Sequence, residues 1–228
     1  MNASTIIVAA GSGVRLGRSE PKAFVKIGGR TMLSYTLLVV ASVSSIKELV
    51  IAVPDGFESA ARAEVTAVGV RIPVKITGGG AERQDSVRIA LGLTSSESDL
   101  VVVHDAARPM VTAKIFEACL EAAARAGGAI AAIPVADTLK RVVDSAIAET
   151  IARAGLWQAQ TPQAFRREVL VAAHSRALNE RIIATDDADL VERSGTRVEV
   201  VDGSTANIKI TTPSDLAIVE AIIAAGMD

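Results

Sequence analysis

Aromatic side chains are scarce in this chain: only 3% of its 228 residues are Phe, Tyr or Trp, although half are hydrophobic. The core must therefore be built from Ala, Val, Ile and Leu. Proteins that bind single-stranded nucleic acid stack bases on aromatic side chains, so the scarcity argues against that function. The 24 basic and 26 acidic residues give a net charge of −2, and no run of Lys or Arg forms a basic patch for nucleic acid. Any phosphate binding must come from a few positioned cations and backbone amides.

Cysteine and histidine are also rare, which excludes several kinds of site. Cys119 is the only cysteine, so no internal disulfide can form, and its helical-looking surroundings predict a small buried side chain. His104 and His174 are isolated and make neither a metal site nor a triad; His174 is predicted to face solvent. No apolar run reaches the roughly 18 residues of a spanning helix, and no basic region precedes the first one as in a secretory signal. A cytoplasmic protein that does not enter the membrane is expected.

Short apolar runs alternate with helical patterns along the chain. The runs lie at 5–9, 46–54, 74–77, 99–104 and 129–134, and the helical patterns at 31–43, 57–68, 83–93 and 112–126. Continuous apolar runs are typical of strands covered on both faces, and the alternation favours a mainly parallel sheet. We predict one α/β domain over residues 1–228, a Rossmann-like sheet with helices on both faces. Ligands of such sheets bind beyond the carboxyl ends of the strands.

The segment 138–160 interrupts this alternation. Its pattern predicts two strands joined by a turn near Ser145, with Trp157 at the end of the segment. Such a segment is either a projecting arm or an edge hairpin. Beyond it, the sequence predicts helices at 166–179 and from Asp186, a strand at 197–201 and a last helix at 213–225.

The first apolar run leads into a glycine loop. Backbone amides in a loop such as Gly11-Ser-Gly13 can approach a phosphate closely. The spacing is not that of the dinucleotide fingerprint, because Leu16 stands where a third glycine is needed, and it is not a Walker A loop. Arg15 and Lys22 supply two cations that can wrap a triphosphate. The alternative interpretation is a plain surface turn.

Two more segments place charged groups at predicted ligand-binding edges. Asp105 ends the fourth apolar run, where a carboxylate can hold Mg²⁺ beside phosphates, and Arg108 follows three residues later. The alternative is an Asp–Arg pair that caps the helix starting near Thr112. Lys209 stands between two isoleucines, which predicts a side chain that points from a strand into a cleft or into solvent.

A three-glycine segment follows the third apolar run and leads into a predicted helix. The glycines, of which Gly80 is the last, allow close backbone approach to a ligand. With Ser86 they could form a wall for a base, read by amides and a hydroxyl. Alternatively, Asp85 or Ser86 is simply the N-cap of the helix, and both interpretations can hold together.

The polar segments follow a recognisable order along nearly the whole chain. They are Ala-Ala-Gly-Ser-Gly-Val-Arg at 9–15, Pro-Lys at 21–22, Arg-Gln-Asp-Ser-Val at 83–87, Val-His-Asp-Ala-Ala-Arg-Pro at 103–109, Gln-Thr-Pro-Gln-Ala-Phe at 160–165, Thr-Asp-Asp-Ala at 185–188 and Asn-Ile-Lys-Ile-Thr at 207–211. Together they resemble the 2-C-methyl-D-erythritol 4-phosphate cytidylyltransferases of the non-mevalonate isoprenoid pathway. The glycine loop alone would indicate only the wider sugar-nucleotidyltransferase group.

On the nucleotide side, the resemblance implies that Arg15 and Lys22 stabilise charge on the α-phosphate of CTP in the transition state. Asp105 would contact Mg²⁺, or another divalent cation, or the CTP ribose. The residues implied in nucleotide binding are Ala9, Ala10, Gly11, Gly13, Gly80, Ser86 and Asp105.

On the acceptor side, the resemblance implies that Lys209 and Arg153 place the methylerythritol phosphate for attack. The residues implied to line its pocket are Arg108, Thr138 and Thr185. In the family, the 138–160 arm swaps between two subunits. Thr138 and Arg153 would then reach the neighbour's active site, and the protein would be a homodimer with shared sites.

The residue types suit this chemistry. A phosphate oxygen is already nucleophilic at neutral pH, so no general base is needed; the reaction requires in-line placement and cations around phosphorus. Ribitol 5-phosphate cytidylyltransferases share several of the segments and are the close alternative, although the arm and Arg153 favour methylerythritol phosphate. A non-catalytic nucleotide-binding protein is the other alternative, and it would not need all four of Arg15, Lys22, Asp105 and Lys209.

Overall fold

The computed structural model describes residues 1–11, 13, 16–17 and 20–226. Its strands are β1 (Ala3–Val8), β2 (Lys26–Ile27), β3 (Arg30–Thr31), β4 (Ile46–Val53), β5 (Val74–Gly78), β6 (Leu100–Asp105), β7 (Gly128–Pro134), β8 (Leu139–Val143), β9 (Ala146–Ile151), β10 (Trp157–Arg166) and β11 (Val198–Asp202). Its α-helices are α1 (Met32–Ser42), α2 (Glu58–Val68), α3 (Arg83–Leu91), α4 (Ala113–Ala126), α5 (Arg167–Glu180), α6 (Asp187–Glu192) and α7 (Pro213–Ala224).

A seven-stranded sheet forms the centre, in the order β11-β7-β10-β6-β1-β4-β5. The five apolar runs between residues 5 and 134 correspond to strands of this sheet, namely β1, β4, β5, β6 and β7. The pairs of β1 with β4 and β6, of β4 with β5, and of β7 with β11 are parallel, whereas β10 runs antiparallel to both its neighbours. The predicted α/β fold with a mainly parallel sheet is confirmed.

Helices cover both faces of the sheet, because its strands carry apolar side chains on both faces. In β1, Ile7 packs into a core with α1, α2 and α4, while Ile6 points to the opposite core with α3, α5 and α6. Aliphatic side chains dominate both cores, and Phe116 and Phe165 are the two phenylalanines among the largest fully buried residues. Cys119 is buried, and burial raises the pKa of its thiol to about 12, as expected for an inert packing residue.

Capping residues explain why α1 and α4 begin one residue later than predicted. Thr31 and Thr112 begin predicted helices but lie just outside them, because each side-chain oxygen accepts a hydrogen bond from the first turn. At the other end of α4, Gly127 has a left-handed conformation with φ of 102°, which ends the helix where the glycine pair predicts.

The segment 138–160 divides into two parts. Strands β8 and β9 form a separate two-stranded antiparallel sheet, and the turn at Asp144 and Ser145 lies where it was predicted. Residues 157–159, by contrast, are the start of β10 and pair with β7 in the main sheet. The end of the predicted 138–160 segment is therefore part of a main-sheet strand, continuous with the buried remainder of β10.

Among the described residues, no helix combines the length and the apolar character needed to cross a membrane.

Candidate active site

The carboxyl ends of β1 and β6 open onto a cavity of about 410 Å³. The sheet brings these ends together because the two strands are parallel neighbours in register, with Val8 opposite Asp105. The cavity is lined by Val8, Ala9, Ala10, Gly11, Lys22, Ala23, Gly80, Ala81, Glu82, Arg83, Ser86, Asp105, Ala106, Ala107 and Lys209. It therefore lies where ligands bind in sheets of this type.

The glycine loop brings Lys22 close to the end of β1. Gly13 has a φ of +74°, and a Cβ atom there would come within 3.0 Å of the Lys22 backbone nitrogen. Only glycine fits this approach without strain. The Lys22 amide donates to the Gly11 carbonyl at 3.3 Å, and its Nζ donates to the Ile210 carbonyl at 2.8 Å. Arg15 lies outside the described residues.

The three-glycine segment and α3 form another wall of this cavity. The Gly80 amide donates to Oγ of Ser86 at 3.0 Å, and this hydroxyl donates in turn to the Glu82 carbonyl at 3.2 Å. The interpretation that Asp85 or Ser86 is the N-cap of α3 was wrong. Glu82 is the N-cap, and Asp85 completes a capping box from the third helical position.

Asp105 is the buried anion at the centre of the site. Its Oδ1 accepts from Nε of Arg83 at 2.9 Å, and its Oδ2 pairs with Nζ of Lys209 at 2.7 Å. Burial alone would raise the pKa of the Asp105 carboxyl. The charges of Arg83 and Lys209 outweigh that effect and hold its pKa well below the usual range. Asp105 is therefore ionised at neutral pH, and it holds Lys209 at the cavity. A cleft was one of the two directions predicted for Lys209, but the prediction that it stands on a strand was wrong, because residues 207–210 form none.

Arg83 also connects the cavity to the protein interior. Its NH1 donates to Oδ2 of Asp187 at 2.8 Å, and Oδ1 of Asp187 lies 3.0 Å from Nε2 of His174. Burial would lower the pKa of Arg83, but the two carboxylates outweigh it and raise it above its usual value. His174 is only 2% exposed, so the prediction that it faces solvent was wrong. The helical pattern could not reveal a partner on α6.

A second cavity of about 230 Å³ adjoins the first. It is lined by Arg83, Asp105, Arg108, Ala159, Gln160, Thr161, Gln163, Thr185, Asp186 and Lys209. Arg83, Asp105 and Lys209 line both cavities, so one ion-paired cluster separates two ligand-sized spaces. A group held in the smaller cavity would face a ligand in the larger one across this cluster.

Arg108 presents its charge to the smaller cavity. Its guanidinium donates to the carbonyls of Asn207 at 2.8 Å and Ala159 at 3.3 Å. Burial is the main reason that its pKa is lowered. Both partners are neutral carbonyls, and Arg108 forms no ion pair with another described residue. Its positive charge is therefore available to bind an anion in the smaller cavity. The alternative role, an Asp105–Arg108 pair capping α4, is not observed, because Thr112 provides that cap.

His104 has a structural role beneath the site. It is fully buried, its Nδ1 lies 3.0 Å from Oγ1 of Thr161, and its Nε2 lies 3.2 Å from the Arg108 carbonyl. Burial lowers its pKa to about 4, so the ring is neutral at pH 7. Within the described ranges, no three His, Cys, Asp or Glu side chains form a metal-binding group.

The structure brings together most of the residues predicted for the site. Eight of them line the larger cavity: Ala9, Ala10, Gly11, Lys22, Gly80, Ser86, Asp105 and Lys209. Arg108 and Thr185 line the smaller one, and Gly13 packs behind Lys22. Thr138 and Arg153 are exposed residues beside the hairpin and belong to neither lining set. A single chain therefore does not test their predicted role in a neighbour's site.

Several residues that build the site have no role predicted from the sequence. Arg83 links Asp105 to Asp187, and Gln163 donates to Asp186 at 2.8 Å. All of them stand in the segments that carry the family resemblance, which was the available signal. Their partners lie 22 to 104 residues away in the chain, so spacing alone could not identify the contacts.

Comparison with known proteins agrees with this arrangement. The model of the 2-C-methyl-D-erythritol 4-phosphate cytidylyltransferase family (IspD) matches residues 3–225. A protein of that name from Syntrophus aciditrophicus is 43% identical over 220 residues, covering 96% of this chain and 94% of the relative. One from Bacillus velezensis is 41% identical over 221 residues, covering 96% and 95%. The crystal structure of the enzyme from Thermus thermophilus is similar, with a TM-score of 0.82, 37% identity, and coverage of 98% of this chain and 100% of that one.

Proposed function

The chain belongs to the 2-C-methyl-D-erythritol 4-phosphate cytidylyltransferase family, and on this premise we propose that it transfers CMP from CTP to methylerythritol phosphate. The structural observation that supports this function most directly is the pair of adjoining cavities with Arg83, Asp105 and Lys209 in both linings. CTP would occupy the larger cavity, with its glycine loop and three-glycine wall. The acceptor would occupy the smaller cavity, beside Arg108 and Thr185.

The reaction would be a displacement at the α-phosphorus of CTP. An oxygen of the acceptor phosphate forms the new P–O bond, and the bond to the β-phosphate breaks, so that pyrophosphate leaves with the electron pair. The attacking oxygen is already ionised, so the reaction needs no general base, and neither His104 nor Cys119 lines either cavity. The protein's contribution is positioning and cations around the phosphorus.

The positively charged side chains would divide this work. Lys22 stands at the glycine loop on the nucleotide side, and Arg108 stands on the acceptor side. Lys209 lies between them, 2.7 Å from Asp105, where an incoming acceptor phosphate would compete with that carboxylate for its charge. Arg15 is proposed to join Lys22 at the α-phosphate.

Magnesium is part of the proposal, with Asp105 as the protein ligand. Mg²⁺ commonly binds through one or two carboxylates together with substrate phosphates and water. A single buried carboxylate at the edge of the nucleotide cavity fits this donor set, and the described residues offer no larger group. Because both Asp105 oxygens are ion-paired, Mg²⁺ would take the place of Lys209 at Oδ2 when the acceptor phosphate binds the lysine. When bound, the cation would neutralise phosphate charge and orient the triphosphate.

A homodimer with shared sites also remains a proposal. Its support is the β8–β9 hairpin, where Val142, Val143 and Ile147 are each more than half exposed. Apolar side chains gathered on a projecting hairpin favour burial against another subunit. Sedimentation should show a dimer at micromolar concentration, and a species of monomer mass only would contradict this part of the proposal.

Mixed dimers test whether Arg153 acts across the interface. Lys22→Ala and Arg153→Ala chains, each nearly inactive alone, should regain activity when mixed, because a hybrid dimer would contain one site without either change. Random exchange makes about a quarter of all sites intact in this way. If both residues serve the same chain's site, mixing restores nothing, and the shared-site proposal is wrong.

The substrate is tested by pyrophosphate release from CTP and Mg²⁺, with methylerythritol 4-phosphate and ribitol 5-phosphate as separate acceptors. We expect release with methylerythritol phosphate and little with ribitol phosphate. Release with ribitol phosphate alone would keep the reaction type but overturn the acceptor assignment. Nucleotide binding without release for either acceptor would favour a non-catalytic protein. A cytoplasmic location belongs to this proposal, since CTP is a cytoplasmic nucleotide.

A further inference from the structure

The loop between α5 and α6 carries Thr185 to the wall of the smaller cavity. It begins at Arg181, which closes α5 in the left-handed region with φ of 55°, and it ends at Asp186, the N-cap of α6. Residues 182–186 belong to neither a helix nor a strand. Backbone pairing within a regular element therefore does not fix the position of Thr185.

Gln84 holds this loop from α3 with both ends of its side-chain amide. Its Nε2 donates to the Ile182 carbonyl at 3.0 Å, and its Oε1 accepts from the Ala184 amide at 3.0 Å. Ile183, which lies between the two bonded residues, is 85% exposed. Ile182 and Ala184 pack against the core on either side of it. Because Ile183 itself is left in solvent, the two hydrogen bonds from Gln84 fix the backbone between these packed residues.

Gln163 of β10 makes an equivalent clasp on the other side of Thr185. Its Nε2 donates to Oδ2 of Asp186 at 2.8 Å, and its Oε1 accepts from the Ala188 amide at 3.2 Å. Thr185 thus stands between two glutamine clasps. The hydrogen bonds of Gln163 hold the start of α6, which also has a capping bond from Asp186. The hydrogen bonds of Gln84 hold backbone that belongs to no regular element.

We propose that Gln84 is a positioning residue for the acceptor: it fixes the 182–184 backbone and thereby sets Thr185 against the smaller cavity. Only an amide side chain offers a donor and an acceptor side by side, as this clasp requires. Glutamate keeps the acceptor but loses the donor, and methionine keeps the length but loses both. The inference rests on the proposed function, because the smaller cavity is taken as the acceptor site.

Steady-state kinetics of the full chain test the proposal. Gln84→Met should raise KM for methylerythritol phosphate about tenfold, which corresponds to the loss of two neutral hydrogen bonds, while KM for CTP changes less than about twofold. Gln84→Glu should fall between Met and the native residue. The matched control is Arg88→Ala on the same helix, whose exposed side chain pairs only with Asp85 in the described structure; both KM values should stay native.

Hydrogen exchange supplies a readout that does not depend on activity. In Gln84→Met, a peptide spanning 181–186 should exchange faster, because the Ala184 amide loses its acceptor, while peptides of the central strands keep their native rates. Unchanged exchange, or equal increases in both KM values, would overturn the proposal. Native chain that is inactive with methylerythritol phosphate would instead refute the proposed function, and the exchange result would still decide whether Gln84 holds the loop.

Discussion

Replacement of Lys22 by alanine is expected to lower kcat by about 10²–10³-fold, by analogy with the loss of one transition-state donor. Lys22 lines the nucleotide cavity, and the close approach of its backbone to Gly13 holds it at the glycine loop. The negative charge at the α-phosphorus grows in the transition state, so a cation placed there should lower the barrier more than it strengthens CTP binding. The measurement is kcat and KM from pyrophosphate release.

The fold should survive this change. Among the contacts of the Lys22 side chain are a part-buried hydrogen bond to the Ile210 carbonyl and a charge interaction with Asp215. A hydrogen bond from a charged group is worth about 1.5–3 kcal/mol, which is small beside the expected loss of kcat but measurable in unfolding. The matched control is Lys26→Ala, which removes a nearby exposed lysine from β2 and should leave kcat native. A native kcat in Lys22→Ala, or a rise in KM alone, would refute a role for Lys22 in the transition state.

Replacement of Asp187 by asparagine should lower the free energy of unfolding by about 3 kcal/mol, the lower end of the cost of breaking a buried ion pair. Asp187 is 1% exposed and accepts from both Arg83 and His174. Asparagine preserves the size of the side chain but leaves Arg83 with one carboxylate instead of two. Urea unfolding at pH 7 measures this difference, and Asp189→Asn is the control, because its pair with Arg193 is exposed.

The loss of unfolding free energy in Asp187→Asn should become smaller at acidic pH. Burial would raise the pKa of Asp187, but Arg83 and His174 outweigh it and hold the pKa below its usual value. The stabilisation from the ionised carboxylate is therefore complete above the unfolded pKa of about 4 and disappears as the pH falls further. The difference in unfolding free energy between the native chain and Asp187→Asn should therefore shrink as the pH falls below about 4. A gap no larger than that of Asp189→Asn would contradict the assigned role.

Local patterns predicted much of the fold and part of the site. The apolar runs ending at Val8 and Asp105 had to be doubly covered strands, and parallel strands align their carboxyl ends. The glycine loop and Lys22 were therefore expected beside Asp105. The wrong prediction for His174 and the assignment of residues 157–160 to the interrupting segment share one cause. Both came from nearby sequence, whereas α6, which contacts His174, and β7, which pairs with residues 157–159, were not part of that local pattern.

The sequence by itself determined the order of strands and helices, the composition of the core and the family to which the chain belongs, because periodicity, caps and motifs are properties of neighbouring residues. Only the tertiary structure decided which polar side chains meet their partners. Arg83 pairs with Asp105 and Asp187, Lys209 pairs with Asp105, and Gln84 forms hydrogen bonds with the loop before α6. These contacts join residues from about 20 to about 100 positions apart, so they exist only after the sheet and its helices have packed.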